Sequence, residues 1–203
     1  HWIKVYKLPE GGRNSRGRPI NNVIQLEEGE KVSAILAVRE FPEDQYVFFA
    51  TAQGMVKKVQ LSAFKNVRSQ GIKAIALKEG DYLIGAAQTG GADDIMLFSN
   101  LGKAIRFNEY WEKSGDDVED SDISIENDND TEISDGPDDE TDSSLPSGKH
   151  GVRPSGRGSG GLRGMRLPAE GKIVSLMTFA PECELSDLQV LTATANGYGK
   201  RTP

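Results

Sequence analysis

An all-β fold assembled from repeated units is what this sequence predicts, on three observations. A glycine hairpin recurs, as "TAQGMVKKV" at 51–59, "SNLGKAIRF" at 99–107 and "TANGYGKRT" at 194–202. A second element precedes each copy: "VIQLEEGEKVSAIL" at 23–36, "AIALKEGDYLIGAA" at 74–87 and "GMRLPAEGKIVSLM" at 164–177. No long stretch with a helical apolar period competes with the short β-branched and aromatic runs. About four strands in about fifty residues, repeated, is the signature of a propeller blade or a similar repeating sheet.

Each unit runs in one order: a strand ending in leucine, a polar turn with glycine, an apolar strand, a variable loop, then the hairpin. In the first full unit, strands are expected near 23–26, 32–38, 46–50 and 55–60, where "VSAILAV" and "YVFFA" carry strand-forming residues between turn residues. Ala-Gln-Gly and Ala-Asn-Gly supply the positive φ that a tight hairpin requires. Gly54 to Gly102 is 48 residues and Gly29 to Gly80 is 51, whereas Gly102 to Gly197 is 95. The excess matches an acidic tract, which is therefore an insertion within one repeat. The expected organisation is the end of a preceding blade at 1–10, blades at 11–65 and 66–111, the insertion at 112–150 and a blade at 151–203. Two full units and two partial ones cannot close a ring, so the sequence is expected to be a piece of a longer protein.

The formal charge of −7 hides two unlike parts. Residues 112–147 hold 15 Asp and Glu against one basic residue, Lys113, and the rest of the chain stands at +7. The tract combines high charge with few apolar residues, so it is expected to be disordered, serving either as a competitor for basic surface or as a solubilising loop. Cys183 is the single cysteine, which excludes an internal disulfide and fits a reducing cytoplasm. There is no apolar run of membrane-spanning length and no signal-peptide pattern.

Aligning the hairpins on glycine puts Lys58, Arg106 and Arg201 at one offset, and "HWIKV" places Lys4 there too. Lys57, Lys103 and Lys200 lie beside them. A second basic column follows a glycine ahead of each unit, at Arg18, Lys73 and Arg163, with Arg16, Arg68 and Arg166 close by. An ordinary solvated face would carry mixed signs. A periodic stripe of one sign suits a curved duplex DNA backbone, which carries about one charge per 1.7 Å of axis. Few aromatics interleave with the basic residues, which argues against a stacking platform for single strands.

The segments "KVYKLPEGGRNSRGRPINNVIQLEEGEKVSAIL", "FFATAQGMVKKVQLSAF", "IMLFSNLGKAIRF" and "VLTATANGYGKRT" closely resemble the family of C-terminal domains of the bacterial DNA gyrase A protein, over nearly the whole chain except the insertion. The resemblance implies a six-bladed β-propeller (β-pinwheel) whose basic rim wraps duplex DNA. It implies work beside the rest of gyrase A, as a dimer, and the ATPase protein gyrase B in an A2B2 assembly in the cytoplasm, at the nucleoid. ATP and Mg would act elsewhere in that assembly, with no cofactor in this domain. In the family, wrapping depends on a basic, glycine-rich box, and no "QRRGGKG"-like heptapeptide occurs here. "RPSGRGSGG" at 153–161 is similar in composition but is expected to be a flexible connector between blades. The related propeller of topoisomerase IV is the second expectation.

Other chemistries find little support. His1 and His150 are the only histidines, and neither sits with ligands at metal-binding spacing. "DNDTEISDGPDDE" at 128–140 places its glycine too late for a calcium loop. No nucleophile–base constellation is evident, so neither a catalytic nor a metal residue is expected. A protein-interaction propeller remains an alternative.

Overall fold

The computed structural model describes residues 1–26, 29–66, 71–112, 151–183, 186 and 188–202. Among the described residues the regular structure is β-strand apart from short 3₁₀ turns, such as those at Val5–Lys7, Ile20–Asn22 and Leu61–Phe64. The three glycine hairpins form where the sequence places them, as β1 (Tyr46–Thr51) with β2 (Met55–Gln60), β4 (Asp94–Ser99) with β5 (Ala104–Asn108), and β8 (Val190–Ala193) with β9 (Gly199–Thr202). Gly54, Gly102 and Gly197 all hold positive φ, at 85°, 75° and 81°. A hydroxyl three residues earlier closes each turn. Thr51, Ser99 and Thr194 accept, at their Oγ atoms, the backbone N–H of Met55, Lys103 and Tyr198 at 3.1–3.2 Å.

The sheets are out of step with the sequence repeats. The first has the order β3–β1–β2–β6, with β3 at Leu83–Thr89 and β6 at Leu162–Arg163. The second has the order β5–β4–β7, with β7 at Ile173–Phe179. Each of the first two hairpins thus pairs with the apolar strand of the following unit: Phe48 lies opposite Ala87, and Met96 opposite Met177. Both pairings are interrupted at the same place, between Ala50 and Thr51 and between Phe98 and Ser99.

This arrangement corrects the expectation of strands at 23–26 and 32–38, none of which is observed. Residues 32–38 hold the repeat position of β3 and β7, and their partner would be the hairpin one unit earlier. No strand among the described residues pairs with them, and the segment at 1–5 that matches a hairpin strand in sequence is not a strand either. An unpaired extended segment has no ladder to satisfy its backbone groups, so the apolar pattern alone does not make it a strand.

Within the first sheet the β1–β2 hairpin is buried on both faces. Phe48, Ala50 and Val56 pack against Ile95, Leu97, Phe107 and Ile173 of the second sheet, while Val47, Phe49 and Val59 pack against Leu61, Phe64 and Ile75. That explains why "YVFFA" reads as an unbroken apolar run, whereas β4 alternates in burial along its length. Each such fully buried side chain contributes about 1.5–3 kcal/mol. The β8–β9 hairpin packs against no other described strand.

The insertion leaves and re-enters the fold at one point. The N–H of Gly151 donates to Tyr110 O at 2.6 Å, and that of Val152 to Glu109 O at 3.2 Å. A Cβ at Gly151 would stand 2.1 Å from the Tyr110 oxygen, so only glycine fits there. The tract itself, at 113–150, lies outside the described residues.

Candidate nucleic-acid interface

The outer edge of the first sheet carries the basic surface. Residues 153–163 run along β2: Pro154 bridges to Lys58, Ser155 N–H donates to Lys58 O at 2.9 Å, and β6 pairs Arg163 with Met55. Gly161 holds φ of 88°, and a Cβ there would stand 2.4 Å from Val56 O, so the position requires glycine on both counts. The connector expected to be flexible is therefore tied down along its length. It displays Arg153 and Arg163 to solvent, with Arg157 half-buried between them. The Arg153 guanidinium sits 5.5 Å from the centre of the Trp111 ring, a cation–π contact.

Lys73 joins this edge through Lys57. The Lys57 ammonium donates to the carbonyls of Ala74 at 3.0 Å, Arg157 at 2.8 Å and Ser159 at 2.7 Å. Ala76 N–H also donates to Ser159 O at 3.1 Å, so the segments bearing Lys73 and Arg157 lie side by side. Lys57 is 1% exposed, and burial, with the nearby Lys73 charge, lowers its pKa to about 8. It still carries its proton at neutral pH, and all three ammonium hydrogens are used.

Lys57 and Lys58 are corrections to the expected DNA-binding set, because neither side chain reaches the surface. Lys58, 2% exposed, lies on the face that meets the second sheet. Its ammonium donates to Glu109 O at 2.7 Å and stands 3.8 Å from Glu109 Oε2, with the Tyr46 ring centre at 4.9 Å. The Glu109 carboxylate, fully buried, accepts from Thr89 Oγ1 at 3.0 Å, Gly91 N–H at 3.0 Å and Asp93 N–H at 3.2 Å. Burial pushes Lys58 down and Glu109 up, and the attraction between them opposes both shifts. The pair joins one hairpin to the next.

The remaining expected residues are scattered. Arg106 is exposed on β5, but it pairs with Asp94, to which its Nε donates at 3.0 Å. Burial alone would raise Asp94; the hydrogen bonds from Arg106 and Asn108, and the Arg106 charge, outweigh it and hold the carboxyl below its usual range. Lys103 is exposed in the β4–β5 turn, and Lys200 and Arg201 are exposed on β9. Lys4 is exposed and precedes the first 3₁₀ turn; it does not lie in a strand. Arg16 and Arg18 lie exposed in the irregular N-terminal segment, and Arg166 is exposed just beyond β6. Arg68 lies outside the described residues.

Sequence reasoning left out Arg153, Arg157 and Glu109. The arginines belong to the connector that precedes the third unit, the position that holds "RNSRGRP" and "KNVRSQG" in the others, and that equivalence was the available signal. Glu109 had none, because the repeat places Leu61 at its offset. Among the described residues, no cluster of His, Cys, Asp and Glu is arranged to hold a metal ion, and no helix is long and apolar enough to cross a membrane.

Comparison with known proteins agrees with this architecture. The family model described as the DNA gyrase C-terminal domain, beta-propeller, matches residues 2–39, 45–89, 93–110, 150–180 and 189–203. The DNA gyrase A protein of Neisseria gonorrhoeae is 86% identical over 100% of this chain, which spans 22% of that protein. The chain thus spans about a fifth of the length of the curated relatives it matches. The solved C-terminal domain of DNA topoisomerase IV superposes with a TM-score of 0.67 at 23% identity, covering 97% of this chain and 48% of that one. The solved DNA gyrase A C-terminal domain gives 0.62 at 21% identity, covering 98% and 49%. At such identities these likenesses speak to the fold.

Proposed function

Because the chain belongs to the DNA gyrase C-terminal domain family, a β-propeller family, we propose that it is a non-catalytic module that binds and wraps duplex DNA for a gyrase A protein. The observation that carries this reading is the edge of the first sheet, where Lys73, Arg153, Arg157 and Arg163 are presented on backbone that is hydrogen-bonded to β2 or to Lys57. Phosphate contacts of this kind position a duplex without reading its sequence, and they suit bending around a curved protein. Wrapped DNA would present a crossing segment to the cleavage core, so that ATP-driven strand passage introduces negative supercoils. The partners are the remainder of gyrase A, as a dimer, and gyrase B in an A2B2 assembly in the cytoplasm. ATP and Mg belong to those other parts.

The test is a gel-shift titration on duplex DNA at several salt concentrations. Replacing Lys73, Arg157 and Arg163 together with Gln is expected to weaken binding equally on unrelated sequences. The slope of log affinity against log salt should shallow by about 0.9 for each phosphate that is no longer neutralised. An unchanged slope would remove this edge from the interface. The topoisomerase IV reading shares this expectation, and the superposition on that domain speaks to the common fold alone. Supercoiling assays with the chain joined to each type of core would separate the two.

A further inference from the structure

Lys57 sits at a position where the repeat otherwise places apolar residues, Ile3 and Ile105, or the exposed Lys200. It lies opposite Phe49 in the β1–β2 ladder, on the face that packs into the second apolar cluster. A buried ammonium there is costly unless each of its hydrogens finds an acceptor. It finds three, all main-chain carbonyls, and they come from two segments far apart in sequence. One accepting residue, Ala74, directly follows Lys73, and another is Arg157 itself. Both carbonyls bond one nitrogen, so they lie within two hydrogen-bond lengths of each other. Neither Ala74 O nor Arg157 O shows another backbone donor among the described residues, whereas Ser159 O also accepts Ala76 N–H. Pro154, Ser155 and β6 anchor the connector on either side of this stretch, and between them the ammonium is the side-chain bond to the connector that comes from the sheet.

From this geometry we infer that Lys57 is the positioning residue of the basic edge: its ammonium closes on the carbonyls of Ala74, Arg157 and Ser159 and fixes the spacing at which Lys73 and Arg157 are offered to one DNA backbone. The inference rests on the duplex-binding reading above and adds a residue that never touches the nucleic acid. It also accounts for a lysine that stands beside another positive charge. The proximity of Lys73 that disfavours the Lys57 proton is the same proximity that puts two cationic side chains on one strip of surface.

The experiment compares the parent chain with Lys57→Met, which keeps the stem and loses the donors, and with Lys57→Ile, which installs the residue found at this offset in two other copies. Amide hydrogen exchange should accelerate at least tenfold at 74–76 and 155–161 in either variant, with the β1–β2 ladder left protected. Duplex affinity should fall several-fold, and the salt slope should shallow by about 1.8, the equivalent of two neutralised phosphates. Adding Lys57→Met to a Lys73→Gln, Arg157→Gln background should change the slope no further. If Lys57 itself bound phosphate, the slope would drop by about 0.9 in both backgrounds with exchange unchanged, and the inference would be overturned. Unaltered affinity in a variant with loosened connector amides would overturn it equally. Absence of duplex binding by the parent would instead sink the DNA-binding reading, while exchange still tested the fastening. Should neither variant fold, the parent decides through its Lys57 ammonium protons: slow exchange with water near neutral pH is expected, and fast exchange would refute the cage.

Discussion

Two adjacent lysines on β2 read alike in the sequence and do different things in the fold. The strand alternation sends Lys57 to one face and Lys58 to the other, and each face is covered. Lys58 therefore acts in the joint between hairpins, where its charge is matched by Glu109. Removing the carboxylate is the more damaging of the two deletions. Glu109→Leu leaves the buried Lys58 ammonium on the main-chain carbonyl of residue 109 but without its counter-charge, and leaves two backbone N–H groups and the Thr89 hydroxyl without their acceptor, so it should cost about 3–5 kcal/mol in denaturant unfolding. Lys58→Met leaves a carboxylate that still holds three donors, and about 1–3 kcal/mol is expected. The double variant should fall short of the sum by about 0.5–3 kcal/mol. Additive losses would mean that the two groups do not interact, and a cheaper Glu109→Leu would mean that its donors find other acceptors.

At the scale of elements, the hairpins were the legible part, and the reason is local. A hydroxyl, two turn residues and a positive-φ glycine close each turn within a few residues, so nothing distant is needed to read them. The segments at 23–26 and 32–38 failed because a strand needs a partner, and the partner's identity is a tertiary fact that apolar pattern does not contain. The basic column failed at Lys58 for a related reason: alignment fixes the offset along a strand, while burial depends on which sheet covers that face. The same turn can therefore sit in unlike surroundings, and this can be measured. A Cβ on Gly54 would stand 2.4 Å from Met165 O, whereas a Cβ on Gly102 meets nothing within 4 Å. Gly102→Ala should cost about 1–2 kcal/mol from its positive φ alone. Gly54→Ala must also push the segment of Met165 away, breaking the bonds that Gly164 and Met165 donate to Gly54 O, and should cost at least about 1 kcal/mol more. Equal shifts in melting temperature for the two variants would show that the Gly54 turn is not clamped.

At the scale of the whole molecule, the offset between sheets and repeats makes each sheet depend on neighbouring units, since β1 needs β3 and β4 needs β7. The same continuity explains how an insertion of this size is tolerated. Its ends are pinned by the Gly151 and Val152 bonds to Tyr110 and Glu109, so the sheets need not register its length. That stem also fixes where the tract's charge is tethered, beside Trp111 and Arg153 at the start of the basic edge. Residues 114–147 carry fourteen acidic residues and no basic one. Attachment at the stem would give that charge, at the edge that begins with Arg153, an effective concentration that a separate polyanion would match only in the millimolar range. Screening limits the influence of unpaired charge to about 8 Å at physiological salt, so competition with DNA requires contact with the edge and repulsion from a distance does not suffice. Replacing 114–147 by a short Gly-Ser bridge across the stem should therefore tighten duplex binding severalfold at low salt, with the gain shrinking as salt rises. The basic edge predicts a further dependence: in a Lys73→Gln, Arg157→Gln, Arg163→Gln background the deletion should gain much less, because the tract and the DNA would compete for those same cations. Affinity equal to that of the parent at low salt would leave the tract as a spacer, and an equal gain in both backgrounds would move its docking place to another surface.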